Sequence, residues 1–254
     1  MQDKTPFFLA GFLTSIAGFV DAVGFLALGH VYTANMSGNS VSLGIQFTSG
    51  NWPEAIRRLL PVVGYVIGLL FSRLLIEFGA RQRIRSIASI PWLCEILLLL
   101  PAAAWSFGGA AGAPELSFAY IGLLAIAMGI QNATLTHFSS LTLNTGFVTG
   151  TLVQFAEELA KYLTWLFDEA RRPRGSLGKA ISDSFRRKSF RFTAWLGLLW
   201  VAYVAGACCG VLGDYSFQLK SLAAPIASLA LLVAIDLRKP LGIREEKAQS
   251  SLPA

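Results

Sequence analysis

Apolar stretches of about 20 residues recur along this chain, and they restrict its fold more than any other feature. A helix of about 20 residues spans the hydrocarbon core of a bilayer, because each residue adds about 1.5 Å. Charged residues make up only 14% of the 254 residues, whereas soluble domains carry about 25%. Backbone polar groups in lipid must be satisfied within the protein, which favours helices. We therefore predict an all-α integral membrane protein.

The hydropathy pattern predicts about six transmembrane helices and two shorter, more polar helices. The shorter helices cover about 36–47 and about 145–167, and we expect them to be broken or re-entrant. The C-terminal tail, 241–254, is polar and lies outside the membrane. The six predicted spans are, in order, 6–28, 59–79, 88–108, 117–135, 192–212 and 217–236.

Two matched polar motifs indicate that the chain consists of two internal repeats. Residues 18–22 read Gly-Phe-Val-Asp-Ala, and residues 33–39 read Thr-Ala-Asn-Met-Ser-Gly-Asn. The first element recurs at 129–133, at an offset of 111, as Gly-Ile-Gln-Asn-Ala. The second recurs at 145–151, at an offset of 112, as Thr-Gly-Phe-Val-Thr-Gly-Thr. Polar sets repeated in this way are typical of transporters built from repeats around a central site.

Later spans match between the halves as well. Residues 64–68 read Gly-Tyr-Val-Ile-Gly, and 202–206, at an offset of 138, read Ala-Tyr-Val-Ala-Gly. Small residues at i and i+4 allow helices to approach closely in lipid, so we interpret these glycines as packing positions. We assign 1–110 to the first repeat and 111–240 to the second, whose extra residues correspond to a basic loop at about 168–191.

The charges of the loops predict the orientation in the membrane. The loop at 168–191 contains eight basic residues, whereas 109–116 contains none, which places the former in the cytoplasm. Six crossings, inverted repeats and two cytoplasmic termini fit this distribution, but they leave Arg57 and Arg58 outside. Eight crossings with parallel repeats would bring these two inside and put the basic turn at 81–85 outside. We favour six crossings.

The polar residues of the two motifs form the predicted site. Gly38 and Gly150 should relax the backbone, and Ser37 and Thr149 should cap helices that start after them. The N–H groups of both half-helices would then face the protein centre, where the motifs should meet at mid-membrane depth. The predicted pathway for a solute or ion comprises Asp21, Asn35, Ser37, Gly38, Asn39, Gln131, Asn132, Thr149, Gly150 and Thr151.

Two classes of function fit this site. The first is a transporter or channel for a small polar or charged solute, with its site at the repeat interface. The second is a non-transporting scaffold or accessory protein, in which Asp21 and Asn132 only cap freed N–H groups and hold helices together. Helix N-termini favour an anion, whereas Asp21 favours a cation or a coupled proton. We interpret Glu95 as a structural partner of Arg73.

Motifs for catalysis and metal binding are missing from the sequence. It contains no G-x-S-x-G, no H-E-x-x-H and no phosphate-binding glycine loop, so we do not expect an enzyme. Three cysteines without C-x-x-C spacing predict no metal, and we expect no cofactor. The net charge of +6 lies in loops, which does not indicate a nucleic-acid partner. The expected partners are the lipid bilayer and a small solute, with homo-oligomerisation left open.

Both motifs resemble signatures of the YoaK-like (DUF1275, UPF0700) family of bacterial membrane proteins. The resemblance covers roughly residues 8–236, and the family commonly has Thr where this chain has Ser37, which preserves the hydroxyl. It implies a multi-pass protein of the bacterial inner membrane and suggests no substrate. The segments that carry it are 18–22, 25–29 (Phe-Leu-Ala-Leu-Gly) and 33–39 for the first signature, and 128–133 and 148–152 (Val-Thr-Gly-Thr-Leu) for the second.

Overall fold

The computed structural model of the chain describes residues 5–105, 114–138, 148–171 and 188–241. These ranges contain helices and turns and no strand, as the sequence predicts. The α-helices are α1 (Thr5–Ala27), α2 (Met36–Thr48), α3 (Trp52–Arg81), α4 (Ser89–Trp105), α5 (Pro114–Phe138), α6 (Val148–Ala170), α7 (Lys188–Phe217) and α8 (Ala223–Arg238), and a 3₁₀ helix, Gln218–Leu222, joins α7 to α8.

Two helix starts differ from the prediction by six or more residues, for local reasons. Helix α3 begins at Trp52 instead of 59, because Pro53 stands in its first turn, where proline needs no N–H partner. Helix α8 begins at Ala223 instead of 217. Gln218 adopts a positive φ of 52°, which stops α7 and starts the 3₁₀ turn. The predicted polar tail, 241–254, lies almost wholly outside the described residues.

Long apolar helices account for most of the described chain. Four helical stretches there are long and apolar enough to cross a membrane, and Ser89–Ala104 is a shorter apolar helix. The four stretches are Phe7–Ala27, Trp52–Arg81, Ser117–His137 and Phe190–Arg238. The last stretch contains both α7 and α8. The protein is therefore a helical membrane protein.

The helices pack as two close pairs that meet in the middle. Helix α1 lies along α7, α3 lies along α5, and α1 also contacts α5. Helix α4 packs against α5 and α8, while α2 rests on α3 and α6 rests on α7. Helices α2 and α6 thus lie on opposite flanks of a row formed by α3, α5, α1 and α7. Helix α2 has 13 residues, whereas α6, which the sequence predicts as a shorter helix, has 23 residues and is as long as α1.

Glycines set both close pairs, as the sequence predicts. A Cβ added to Gly206 of α7 would overlap the carbonyl oxygen of Ser15 in α1. A Cβ added to Gly68 of α3 would overlap the carbonyl oxygen of Ile126 in α5. Ile126 stands at an offset of 111 from Ser15, and Gly206 stands at an offset of 138 from Gly68. The same backbone approach therefore occurs twice, each time between one half and the other, at the two offsets read from the sequence.

Contacts between helix ends show at which side of the bundle each helix begins. We call the end at which α1 begins the N side. Helix α7 also begins there, since the rings of Phe7 and Trp195 lie 5.1 Å apart. Helices α3 and α5 begin on the opposite side, where Arg57 donates to the Leu28 carbonyl (3.1 Å) and to the Ser117 hydroxyl (2.9 Å).

Arg57 and Arg58 bind the carbonyls that follow the end of α1. Besides the bond from Arg57 to Leu28, Arg58 donates to the carbonyls of Gly29 (3.2 Å) and His30. Cationic side chains at a helix C-terminus are favourable because the last carbonyls lack intrahelical partners. These two arginines therefore have a structural role that is independent of which side of the membrane they occupy.

Candidate functional site

The polar centre of the first half forms around the Asp21 carboxylate. After α1 ends at Ala27, Gly29 and His30 adopt positive φ values of 75° and 60°, and the chain turns back along the helix. Asp21 Oδ1 then accepts hydrogen bonds from the backbone N–H groups of Thr33 (2.6 Å) and Ala34 (2.8 Å). Since Asp21 lies six residues before the end of α1, the loop returns by about 9 Å.

The second carboxylate oxygen of Asp21 joins α1 to α7. Asp21 Oδ2 accepts a hydrogen bond of 2.6 Å from the Tyr203 hydroxyl, and the Thr33 hydroxyl donates to Oδ1 at 3.3 Å. The residue is only 3% exposed. Four donors thus surround a buried acid, which is the arrangement that stabilises a carboxylate away from water.

Asn39 holds the returning loop in place. It is fully buried, its Oδ1 accepts from the Tyr32 N–H (3.1 Å) and its Nδ2 donates to the Tyr32 carbonyl (2.6 Å). The Tyr32 ring covers Gly38, where a Cβ would lie 2.9 Å from it. The first motif therefore fixes a loop of defined shape.

The prediction for the start of α2 needs correction. The helix begins at Met36 and its N-cap is Asn35, whose Oδ1 accepts from the Gly38 N–H (3.4 Å) and from the Ser37 hydroxyl (2.8 Å). Ser37 is therefore not the cap, and Gly38 is helical instead of marking a break. The non-helical segment is 28–35, because the cap is Asn35, two positions before Ser37, and its amide oxygen reaches the N–H of Gly38 at position N3. The Gly38 N–H, which was expected to face a solute, is bound by Asn35.

A matching polar pair lies between α3 and α5. The Tyr65 hydroxyl interacts with the side chain of Asn132. Asn132 stands at an offset of 111 from Asp21, and Tyr203 stands at an offset of 138 from Tyr65. Each pair thus joins the polar residue of one half to the tyrosine of the other half. Both Tyr65 and Asn132 are buried.

The two pairs lie at different depths in the bundle. Gln131, next to Asn132, donates to the Leu13 carbonyl of α1 at 3.3 Å, which puts this part of α5 level with Leu13. Asp21 is eight residues further along α1, or about 12 Å. The pair of Asn132 and Tyr65 is therefore nearer the N side, and the pair of Asp21 and Tyr203 is nearer the opposite side.

The second motif is described only in part. Residues 139–147 lie outside the described residues, so only the first part of the break predicted around Gly150, residues 146 and 147, is not described. Helix α6 begins at Val148, so Thr149 and Gly150 are already helical, and both are exposed, whereas Thr151 is buried. Thr149 thus lies within the first turn and does not occupy the predicted cap position.

The predicted meeting of the two motifs at the centre is not seen in the described residues. Helix α2 packs on α3, and α6 packs on α7. The glycine contacts that draw α3 to α5 and α7 to α1 leave α2 and α6 on the outer flanks. The residues brought together at the centre are instead Gln131 and the α1 backbone.

The sequence prediction also omits two residues of the site and assigns one wrong partner. Tyr65 and Tyr203 enter it only as part of the glycine packing match, although their equal positions in that match were the available signal. Arg73 does not pair with Glu95, because it donates to the Thr136 hydroxyl at 2.7 Å. Glu95 has no hydrogen-bond partner among the described residues.

Long apolar helices that enclose buried polar pairs define a helical membrane protein. The profile of a family described as "Protein of unknown function (DUF1275)" matches residues 9–235, and the chain belongs to this family. The chain is 25% identical over 239 residues to the UPF0700 transmembrane protein YoaK of Bacillus subtilis (strain 168). The aligned residues cover 94% of this chain and 96% of that protein. No solved structure shows a significant match to the chain.

Proposed function

We propose that the protein is a carrier of the bacterial inner membrane for a small polar or charged solute, and not an enzyme. In this proposal α1, α3, α4, α5, α7 and α8 cross the membrane, and α2 and α6 are re-entrant. The loop that returns from the end of α1 to the level of Asp21 supports re-entry of α2 from the opposite side. Arg57 and Arg58, which argued for eight crossings, are accounted for by their bonds to α1 carbonyls.

Helix α6 supports the same scheme from the N side. Its Tyr162 ring lies 5.3 Å from that of Phe190, and a Cβ on Gly197 would lie 3.3 Å from Phe155. Helix α6 therefore runs antiparallel to α7 and leaves the bundle on the N side, where the basic loop at 168–191 begins. With that loop in the cytoplasm, both termini are cytoplasmic and the two repeats are inverted.

The observation that carries the proposal is the pair of tyrosine contacts at two depths. Inverted repeats place equivalent residues on opposite sides of the membrane centre, and alternating access opens one side while the other is closed. Asp21 with Tyr203 would close the opposite side, and Asn132 with Tyr65 would close the N side. In this proposal the structure, in which Tyr203 donates to Asp21 and the Tyr65 hydroxyl interacts with Asn132, is a closed state of the carrier.

Removing one tyrosine hydroxyl at a time tests this proposal. In a background without Cys94, Cys208 and Cys209, the reporter Ile16→Cys lies on α1 between the two depths. Tyr203→Phe should raise its labelling by a membrane-impermeant maleimide from the opposite side alone. Tyr65→Phe should raise labelling from the N side alone.

Right-side-out and inside-out vesicles separate the two directions of labelling. Tyr215→Phe is the matched control, because Tyr215 lies on α7 and is 77% exposed. Equal labelling in all variants, or the same side opened by both tyrosine changes, would refute the carrier proposal.

One observation favours the alternative of a non-transporting scaffold. The oxygens of Asp21 and the amide of Asn39 are used entirely within the first half and its contact with α7. Polar residues engaged in this way hold membrane helices together without conducting a solute. The scaffold predicts that Ile16→Cys stays unlabelled in every tyrosine variant.

A further inference from the structure

Glu95 differs from the other buried acids of the described chain. Asp21 accepts four hydrogen bonds. Asp236 accepts from the Ser89 N–H (3.1 Å) and hydroxyl (2.6 Å) and from the Leu241 N–H (2.8 Å). Glu95 is 0% exposed, and neither of its carboxyl oxygens has a hydrogen-bond partner among the described residues. Asp21 and Asp236 hold backbone segments in place, whereas Glu95 holds nothing.

Two large buried side chains flank Glu95 on its own helix. Glu95 lies on the inner stripe of α4, about one turn from Trp92 and from Leu99, which are both 0% exposed. The indole N–H of Trp92 also lacks a described partner. A donor and a carboxyl group are thus buried one turn apart on the same helix, and neither is satisfied.

Ionisable groups on the described elements that contact α4, including Lys220 of the 3₁₀ helix, donate no hydrogen bond to Glu95. On α8, Asp236 binds Ser89, and on α3, Arg73 binds Thr136. Tyr120 and His137 of α5 have interactions of their own. An ionised carboxylate without a cation or donor is strongly disfavoured inside a protein and more so in a membrane. A carboxyl group in this position is stable when it carries a proton.

We propose that Glu95 is a proton-binding site in the membrane interior, at which the carrier couples solute movement to protons. This inference rests on the proposed carrier function. A metal cation is a poor alternative, because it requires several oxygen ligands. The described residues contain no group of three or more His, Cys, Asp or Glu side chains that could hold one.

Reaction with a hydrophobic carbodiimide tests whether Glu95 carries a proton. Dicyclohexylcarbodiimide partitions into lipid, and a protonated carboxyl adds across one of its C=N bonds. The acid oxygen bonds to the central carbon and the proton moves to nitrogen, after which the acyl group migrates to nitrogen with no leaving group. Mass spectrometry of the full-length protein in vesicles should find the adduct at Glu95, several-fold above that at Asp21.

Glu95→Gln is the matched variant, because it keeps the shape of the side chain and removes the reactive acid. Its infrared spectrum should lack one protonated-carboxyl band of the wild type, and that band should shift in D₂O because a coupling proton exchanges with water. Equal reaction at Glu95 and Asp21, no adduct at Glu95, an unchanged spectrum in the variant, or a band insensitive to D₂O would each overturn the inference.

The two proposals can fail separately. The labelling and the infrared band need no solute, so they report on Glu95 whether or not the protein transports. A labelled, exchanging Glu95 in a protein whose reporter Ile16→Cys never opens would refute the carrier and leave the proton site without a coupling role. An inert Glu95 in a protein that opens would overturn the proton site alone.

Discussion

The hydrogen bonds of Asp21 allow a direct prediction of the cost of removing this side chain. Asp21→Ala leaves the buried N–H groups of Thr33 and Ala34 without an acceptor, since their bonds of 2.6 and 2.8 Å both end on Oδ1. Each orphaned buried donor costs about 1–3 kcal/mol. The Tyr203 hydroxyl can rotate toward another acceptor, so we count only the two backbone groups and expect a loss of about 2–6 kcal/mol.

Asp21→Asn should be far milder. The amide oxygen keeps both backbone bonds, and its NH₂ group takes the place of Oδ2 opposite Tyr203, whose hydroxyl can accept instead of donate. The remaining loss is the charge assistance of these bonds, about 1 kcal/mol. If the carrier needs the carboxylate itself, Asn will abolish solute movement and leave the fold intact.

Thermal unfolding of the purified protein measures both changes. In a domain of this size each kcal/mol corresponds to about 2–4 °C, so Ala should lower the Tm by roughly 5–20 °C and Asn by a few degrees. Glu77→Ala is the matched control, because this carboxylate is 65% exposed and its ion pair with Arg81 contributes little. A Tm for Asp21→Ala equal to that of wild type, or equal losses for Ala and Asn, would refute this account of the loop.

The packing and the charge pattern lead to three more predictions. Gly68→Ala should lower stability by about 1–3 kcal/mol in thermal unfolding, because its Cβ would overlap a backbone carbonyl of α5, whereas Gly44→Ala, with open space around it, should be neutral or stabilising. Asn39→Ala should cost about 2 kcal/mol, because both of its bonds to the returning loop are lost; an unchanged Tm would contradict its structural role. Reporter fusions at Gly178 and after Ala254 should both read cytoplasmic, and a periplasmic signal at either would reject the proposed orientation.

Local sequence was sufficient to locate the helices. Hydropathy and helix signals are properties of neighbouring residues, so α1 and α2 lie within a residue of their predicted bounds. The starts of α3 and α8 were predicted least well, by seven and six residues. In α3, residues 52–58 include three charged side chains but are helical, because a helix at a membrane interface needs a favourable first turn and not continuous hydrophobicity.

The repeat offsets also carried more information than the local patterns. Matching Gly68 to Gly206 predicted close packing, and in both places the glycine meets a backbone carbonyl of a helix from the other half, at Ile126 and at Ser15. The same offset aligns Tyr65 with Tyr203. Because a buried hydroxyl needs a hydrogen-bond partner, this match could have predicted that both tyrosines belong to the site. Asp21 and Asn132 were already aligned by the other offset.

By itself, then, the sequence determined the class of protein, the helices and the positions where helices could touch. Only the tertiary structure decided the partners of the polar groups. Tyr203 binds Asp21, which lies 182 residues earlier in the chain, and Asn35 caps α2 in place of Ser37. Arg73 binds Thr136 and forms no hydrogen bond with Glu95. The physical reason is that the free energy of burying apolar area adds up residue by residue along the chain. A hydrogen bond instead requires two particular atoms within about 3 Å, and which atoms meet depends on how whole helices pack.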